Sequence, residues 1–276
     1  MKLKVDDIEF YLHVNESDLN GKKTPVVFLH GFTGNSDDWN FLFRQLPENI
    51  FPLAIDLIGH GRSDSPKDPA HYTCTAIVHH LHSILLSLKL EKIILAGYSM
   101  GGRAALSYCL KHPNNVIAAV LESTTAGIED FDQKKERVEI DFLLADKIRS
   151  EGIVSFIEYW FSTPLFRTLK DHPDFENIRK RRIENSATGL ANSLMNFSTG
   201  LMRSYWESLP LLNFPILLVS GELDNKYTSI NSRMKLKFQN ALHAVVPECG
   251  HNVHIEKPEL FTKLVQEFLE KLERPA

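Results

Sequence analysis

The sequence predicts an α/β fold in which helices flank a mostly parallel central sheet. Short apolar runs at residues 26–29, 51–55, 93–96 and 116–121 alternate with longer segments of helical periodicity. This alternation is typical of parallel strands joined by crossover helices. The chain has 276 residues, of which 43% are hydrophobic and 24% charged, enough for one large domain or one domain with an insertion.

The predicted helices begin at capping residues and repeat apolar side chains every three or four positions. A helix capped at Asn35 is expected to run to Leu46, just before a proline. Residues 73–90 place isoleucines and leucines at helical spacing, and residues 100–111 follow the next strand. A last helix at residues 258–272 has one apolar face.

The composition changes between residues 127 and 209, where the chain is charged, favours helices and lacks strand-like runs. The strand pattern resumes at residues 215–221 and 244–247. We therefore divide the chain into a core of residues 1–126 and 210–276 and a helical cap of residues 127–209. Ligands bind beyond the carboxyl ends of the strands in open α/β sheets, so the cap is expected to cover that edge.

The overall charge argues against nucleic acid or an anionic membrane as a partner. The net charge is −4 and the isoelectric point about 6.3, whereas both partners require a basic surface excess. The start of the chain lacks the apolar region of a signal peptide, and no apolar stretch approaches the roughly 18 residues of a membrane span. We expect a cytoplasmic protein that binds a small molecule, and the oligomeric state is left open.

Neither the cysteines nor the histidines form a metal-binding pattern. The three cysteines are far apart and have no C-x-x-C spacing, which indicates neither a disulfide framework nor a zinc site. His79 and His82 share one helix face, but His80 points elsewhere and no carboxylate joins them at ligand spacing. We expect a solvated helix surface there, and no metal or organic cofactor.

A serine stands at a predicted sharp turn between a strand and a helix. Ser99 is the centre of G-Y-S-M-G at residues 97–101, the pattern of a nucleophile elbow. A serine reacts at neutral pH when a histidine takes its proton and a carboxylate orients that histidine. Asp224 and His251 each follow a predicted strand and supply those groups. Taken singly, the aspartate could be a turn residue and the histidine a surface loop residue.

The chain resembles the α/β-hydrolase superfamily over nearly its whole length. The resemblance is carried by the elbow, by the Ser-acid-His order, by the loop H-G-F-T-G at residues 30–34 and by D-L-I-G-H-G-R-S at residues 56–63. It implies that the backbone N–H groups of Phe32 and Met100 form an oxyanion hole. This fold hosts esterases, lyases and proteins without activity, so it leaves the reaction open.

Further segments resemble the SHCHC synthase (MenH) family of menaquinone biosynthesis. These are G-Y-S-M-G-G-R-A-A-L at residues 97–106 and L-E-S-T-T-A-G-I at residues 121–128. Within the predicted cap, Glu136-Arg137 followed by Asp141 matches the family's E-R-x-x-x-D pattern. The family's W-x-x-x-P-x-F pattern is matched from Trp160 to Phe166. Agreement inside the cap makes this resemblance more specific than the elbow and its partners.

The resemblance implies substrate-binding roles for six residues. Those expected to contact substrate carboxylates are Arg103, Arg137 and Arg182, and those expected to shape the pocket are Tyr98, Trp160 and Phe166. An arginine fork pairs with carboxylates, and the family's substrate carries three of them. From the residues alone, the arginines could equally form a buried ion pair or a solvated surface, and the tryptophan could belong to the cap core. Arg179 and Arg181 lie so close that a shift of one position changes the choice of the third arginine.

The function implied by the resemblance is a carbon–oxygen lyase reaction. Such an enzyme removes pyruvate from SEPHCHC, a succinyl cyclohexene with an enolpyruvyl ether, to give SHCHC. Ser99, activated by His251 and Asp224, would act as the base. The alternatives are a serine hydrolase of the same fold, either a carboxylesterase or a carbon–carbon bond hydrolase, and a catalytically silent binding protein.

Overall fold

The computed structural model describes residues 1–20 and 23–273, and in this part of the chain eight strands form one sheet. The strands are β1 (Lys2–Val5), β2 (Ile8–His13), β3 (Thr24–Leu29), β4 (Ile50–Ile55), β5 (Ile93–Tyr98), β6 (Val116–Glu122), β7 (Ile216–Gly221) and β8 (Ala241–Val246). Their order is β1-β2-β4-β3-β5-β6-β7-β8. Strand β2 is antiparallel to β1 and β4, and the other neighbouring pairs are parallel. The prediction of a mostly parallel sheet is confirmed.

The antiparallel hairpin of β1 and β2 was not anticipated from the sequence. Its two-residue turn consists of Asp6 and Asp7, both with positive φ, at 47° and 64°. Asparagine or aspartate followed by glycine is the common signal for such a turn, and this turn lacks the glycine. Strands β3, β5 and β7, by contrast, are almost wholly buried. They read as continuous apolar runs because helices cover both faces of the sheet.

Helices lie on both faces of the sheet and beyond its carboxyl edge. They are α1 (Cys74–Ser87), α2 (Met100–Lys111), α3 (Phe131–Ser162), α4 (Phe175–Ile183), α5 (Ala187–Asn196), α6 (Asn225–Lys237), α7 (Val253–Glu256) and α8 (Pro258–Glu273). Side chains of α1, α2 and α6 join the apolar cluster on one face, and side chains of α8 join the cluster on the other. No helix in residues 1–20 and 23–273 is long and apolar enough to cross a membrane.

The predicted helix from Asn35 to Leu46 is largely absent. Asn35 does cap a helical turn, but that turn is a short 3₁₀ helix, Ser36–Trp39. The chain then continues in turns, with the amide of Leu42 donating to Trp39 and that of Gln45 to Leu42. Trp39 and Leu42 are fully buried, so tertiary packing shapes this segment more than local helix propensity does.

The expectation of a solvated histidine surface on α1 is wrong for His80. His79 is exposed, but His80 is only 4% exposed and its ring centroid lies 5.2 Å from that of Phe10. His80 lies three residues after Ile77 and four before Ile84, and therefore on the buried face of the helix. Burial lowers the pKa of its imidazole to about 4.

Helices α3, α4 and α5, here called the cap helices, bury an apolar cluster of their own. The cluster includes Ile148 and Phe156 of α3, Ile178 of α4 and Leu190 of α5. Helix α3 is kinked at Gly152, whose φ of 83° lies in the region that favours glycine. The cluster accords with a cap at residues 127–209, although the exact division from residues 1–126 and 210–276 stays a prediction.

Candidate active site

Ser99, Asp224 and His251 meet at the carboxyl edge of the sheet, after β5, β7 and β8. His251 Nε2 lies 3.1 Å from Ser99 Oγ, and His251 Nδ1 lies 2.6 Å from Asp224 Oδ2. The imidazole and the carboxylate are buried, whereas the serine is partly exposed. With Nδ1 protonated toward the carboxylate, the Nε2 lone pair faces the serine hydroxyl. This geometry suits transfer of the hydroxyl proton to the imidazole.

Ser99 stands on a strained turn that requires glycine neighbours. Its φ is 50° and its ψ −106°, outside the regions that a residue with a side chain usually adopts. A Cβ on Gly97 would collide with the backbone of Gly101, and a Cβ on Gly101 would collide with that of Leu29. The Ser99 amide donates to the Glu122 carbonyl at 2.8 Å, which ties the turn to β6. The turn thus holds the hydroxyl clear of the sheet.

The loop that carries His251 is held from both sides by one carboxylate. Glu256, on α7, accepts hydrogen bonds from the amides of Gly250 at 2.9 Å and Asn252 at 3.2 Å. The centroid of the His251 ring lies 4.6 Å from that of Tyr227. These contacts restrict rotation of the imidazole and keep water away from it. Sequence reasoning missed Glu256, whose only signal is its position five residues after the histidine.

Phe32 and Met100 come from two different elements, the loop after β3 and the start of α2. Met100 is the first residue of α2, so its amide is one of the N-terminal groups that have no carbonyl partner within the helix. Phe32 lies in the loop after β3, next to Thr33, which has a φ of 67°. Both residues line the same cavity as Ser99. Their role as oxyanion-hole donors stays a prediction.

A cavity of about 330 Å³ opens above Ser99, between the sheet edge and the cap helices. Trp160, for which the resemblance implies a role in shaping the pocket, is among its apolar lining residues, and its ring lies 5.4 Å from that of Phe32. The charged side chains of the lining are Arg103, Arg137, Lys226 and Asp141. Three cations face one carboxylate, so the apolar cavity has a local positive charge although the chain as a whole is negative.

Arg103 is a buried cation without an acidic partner among the described residues. It is 9% exposed, and its guanidinium donates to the Phe197 carbonyl at 2.6 Å and lies 4.5 Å from the centre of that ring. Burial, and then the like charge of Arg137, lower the pKa of Arg103 to about 10. A buried charge of this kind is unfavourable unless something pairs with it. The side chain is therefore suited to an anionic ligand.

Arg137 reaches the cavity from α3 and is anchored by Asp141 one turn later. Arg137 Nε lies 2.9 Å from Asp141 Oδ2. Burial alone would lower the pKa of Arg137, but the adjacent carboxylate outweighs that effect and raises it. Asp141 Oδ1 is buried and has no hydrogen-bond partner among the residues that the structure describes. The pair leaves the terminal nitrogens of the guanidinium available to a ligand.

Arg182, Tyr98 and Phe166, for which the resemblance implies substrate-binding roles, do not line the large cavity. All three line a separate cavity of about 10 Å³, room for roughly one water molecule. Arg182 is 4% exposed and binds Asp38 with both terminal nitrogens, at 2.9 and 2.8 Å. Burial alone would raise the pKa of Asp38, but the charge of Arg182 outweighs it and lowers the pKa. The two terminal nitrogens of Arg182 are thus already paired with a carboxylate of the chain.

The neighbouring arginines, Arg179 and Arg181, do not line the large cavity either. Arg179 pairs with Glu158 and Glu176 at the surface, and Arg181 lies 3.7 Å from Asp38. The third cation of the large cavity is instead Lys226, which sequence reasoning missed. Its position two residues after Asp224, in the first turn of α6, is the signal that could have found it. Among the residues that the structure describes, no three His, Cys, Asp or Glu side chains are grouped so that they could hold a metal ion.

Comparison with known proteins agrees with this architecture. A family model described as the alpha/beta hydrolase fold matches residues 24–258, and the chain belongs to the α/β-hydrolase family.

Relatives and a solved structure indicate a narrower family within the α/β-hydrolases. A Bacillus subtilis (strain 168) protein, provisionally named 2-succinyl-6-hydroxy-2,4-cyclohexadiene-1-carboxylate (SHCHC) synthase, is 41% identical over 88% of this chain and 89% of its own. The SHCHC synthase of Enterobacter sp. (strain 638) is 31% identical over 84% of this chain and 86% of its own. The structure of MenH from S. aureus superposes with a TM-score of 0.89 at 29% identity, over 96% of this chain and 99% of that one. Within the α/β-hydrolases, the chain is thus a member of the SHCHC synthase family.

Proposed function

We propose that this protein eliminates pyruvate from SEPHCHC to give SHCHC in menaquinone biosynthesis. Relatives that are 41% and 31% identical to this chain are named for this synthase, and the site has the chemistry that the reaction needs. The substrate is a small tricarboxylate, and the reaction requires neither a metal nor an organic cofactor. A cytoplasmic location, expected from the sequence, stays a prediction.

The observation that carries the proposal is the unpaired charge of Arg103 in the cavity of Ser99. A carboxylate bound there would form a charge-assisted hydrogen bond and remove the unfavourable burial of a lone cation. Arg137 and Lys226 add two further cations in the same cavity. Three carboxylates on one substrate match three cations around one activated serine. A neutral ester would have no use for them.

In the proposed mechanism Ser99 acts as a base. His251 accepts the hydroxyl proton as Ser99 Oγ removes a proton from the substrate ring, and Asp224 stabilises the imidazolium. The electrons of the broken C–H bond form a ring double bond, and the bond between the ring and the enolpyruvyl oxygen breaks. The departing enolate takes up a proton and leaves as pyruvate. The amides of Phe32 and Met100 would stabilise the oxyanion that develops as the ring proton leaves.

Ultraviolet spectroscopy of the enzyme mixed with freshly generated SEPHCHC tests the proposal. We expect the absorbance of a conjugated diene to appear together with one equivalent of pyruvate, measured with lactate dehydrogenase. Wild-type and Ser99→Ala protein should differ by about a thousandfold or more. Diene formation at the same rate with and without enzyme would contradict the proposal.

The alternative is a serine hydrolase, because an ester or carbon–carbon bond hydrolase uses the same three side chains. A p-nitrophenyl ester assay in parallel separates the two activities. Efficient turnover of a neutral ester with no SEPHCHC turnover would favour the hydrolase. Slow ester turnover beside efficient elimination is the result that we expect, since an activated serine attacks esters incidentally.

A further inference from the structure

The end of helix α4 and the turn after it are bound to the loop that follows Phe32. Arg182 binds the Asp38 carboxylate with two nitrogens, at 2.9 and 2.8 Å. The Asn185 side chain donates to the Thr33 carbonyl at 2.8 Å. These two contacts lie on either side of the loop between residues 33 and 38, and all four side chains are buried. The cap helices therefore hold this loop at two points.

Both contacts are made by buried groups, and Asp38 and Asn185 form further hydrogen bonds with the core domain. A buried, bidentate pair of guanidinium and carboxylate fixes direction as well as distance. Asp38 also completes the cap of the 3₁₀ helix Ser36–Trp39, in which the Asn35 amide donates to its carboxylate. Asn185 accepts a hydrogen bond from the Gly61 amide at 2.8 Å. Because Asp38 is itself bonded to the backbone of the loop, a shift of the Arg182 side chain would move the loop and not the Asp38 side chain alone.

This loop follows Phe32, whose amide is a predicted oxyanion-hole donor and which lines the same cavity as Ser99. Phe32 precedes Thr33, whose positive φ of 67° is a conformation that the surroundings must maintain. The Phe32 ring packs edge-on against Phe156 and Trp160 of the cap, at 6.2 and 5.4 Å. An oxyanion donor acts only if it is held within a few tenths of an ångström of its productive position.

We propose that Arg182 is a positioning residue, which acts through Asp38 to hold the Phe32 amide in place beside Ser99 and does not touch the substrate. The proposal rests on the proposed function in taking Ser99 as the reacting group and the Phe32 amide as an oxyanion-hole donor. It assigns the cap two tasks, binding the substrate through Arg137 and fixing the oxyanion loop through Arg182.

The test compares two reactions of Ser99, one with the charged substrate SEPHCHC and one with a neutral covalent reagent. The first readout is kcat and KM for SEPHCHC, and the second is the rate of covalent modification of Ser99 by an uncharged fluorophosphonate. That modification needs the activated serine and the oxyanion hole, but no carboxylate-binding cation. In Arg182→Met we expect both rates to fall by the same factor, about 10- to 100-fold, with KM within about threefold of wild type. The matched control is Arg179→Met, on the same helix but paired at the surface, which should leave both rates unchanged.

Two results would overturn the proposal. A loss confined to SEPHCHC, through KM, would mean that Arg182 binds the substrate, and unchanged rates in both assays would mean that the pair does not position the loop. If Arg182→Met does not fold, Arg182→Met with Asp38→Asn replaces it, because the second change removes the unpaired carboxylate. The same equal losses are expected there. Absence of SEPHCHC turnover in the wild type would contradict the proposed function alone, since the fluorophosphonate reaction still tests the role of Arg182.

Discussion

Two buried arginines, each of which lines a different cavity, have opposite surroundings. Arg103 lies in the cavity of about 330 Å³ and has no carboxylate partner among the described residues. Arg182 lies in the cavity of about 10 Å³ and is bound by Asp38 through both terminal nitrogens. The first has space and an unsatisfied charge, whereas the second has neither. Burial of an arginine therefore indicates a ligand only where the chain itself does not supply the counter-ion.

The difference also separates two kinds of contribution to the reaction. Arg103 can contribute binding energy that depends on the substrate's charge, whereas Arg182 can contribute only geometry. Substitutions at the two positions should therefore separate activity on charged substrates, activity on neutral substrates, and stability.

The largest effect is expected at the residues on which both regions depend. Ser99→Ala, Asp224→Asn and His251→Ala should each lower kcat for SEPHCHC strongly, the serine and histidine variants by about a thousandfold or more, because the three act as one unit. Combining two of them should add little to the loss. Steady-state kinetics, with circular dichroism to verify folding, provide the measurement. Near-normal turnover by a folded Ser99→Ala protein would refute the assignment of the serine.

The comparison predicts opposite changes in stability for the two arginines. Arg182→Met removes the bidentate partner of the buried Asp38 carboxylate and should lower the free energy of unfolding by about 3 kcal/mol. Burial disfavours the charged form of Arg103 and lowers its pKa to about 10. Because Arg103→Met removes this unfavourable charge, the free energy of unfolding should stay the same or rise. Urea denaturation of the two variants beside wild type measures both. Similar destabilisation of the two proteins would show that Arg103 is structural too.

Arg137 should behave as an intermediate case, because it is exposed to the cavity but already paired with Asp141. Arg137→Ala should lower kcat/KM for SEPHCHC by about ten- to a hundredfold, the value of a lost charge-assisted hydrogen bond. Arg137→Lys should recover only part of this, since lysine keeps the charge but loses the planar fork. If the lysine variant were fully active, the planar fork would not be needed at this position.

The smallest effect is a loss of stability at acidic pH, which extends the comparison to two buried histidines. Burial lowers the pKa of His60, which packs beside Phe32, to about 3, and that of His80 to about 4. The unfolded chain takes up these protons near pH 6.5 and the folded chain only at lower pH, so stability is greatest above pH 6.5 and falls as the pH drops. At pH 5, each histidine should lower the free energy of unfolding by about 2 kcal/mol relative to pH 7. Urea unfolding at pH 7 and pH 5 should show a smaller difference for His80→Leu than for wild type, and an equal difference would rule out this cause.

Much of the central architecture could be predicted because it follows from local patterns. The apolar runs of β3, β5 and β7 report burial on both faces, and the glycines around Ser99 report a turn that excludes a Cβ. The serine, aspartate and histidine could be paired from the sequence because each follows a strand end, and strand ends of a parallel sheet meet at one edge.

The remaining features depend on contacts between distant parts of the chain. Asp38 and Arg182 are 144 residues apart, and each alone looks ordinary, one as a helix-capping acid and the other as part of a basic surface cluster. Whether an arginine faces a cavity or a carboxylate is decided by the packing of α4 on the loop. The segment after Asn35 likewise turns rather than continuing as a helix, because Trp39 is drawn into the core.

The central claim is that the charge above Ser99 serves a carboxylated substrate, and the most direct test is a ratio of two activities. We would measure kcat/KM for SEPHCHC and for a neutral p-nitrophenyl ester in wild type, Arg103→Ala and Arg182→Met. Arg103→Ala should lower the ratio of the first activity to the second by about ten- to a hundredfold, whereas Arg182→Met should lower both activities and leave the ratio within a few fold. Equal losses on both substrates in Arg103→Ala would contradict the account, because that arginine would then support the site rather than bind the substrate.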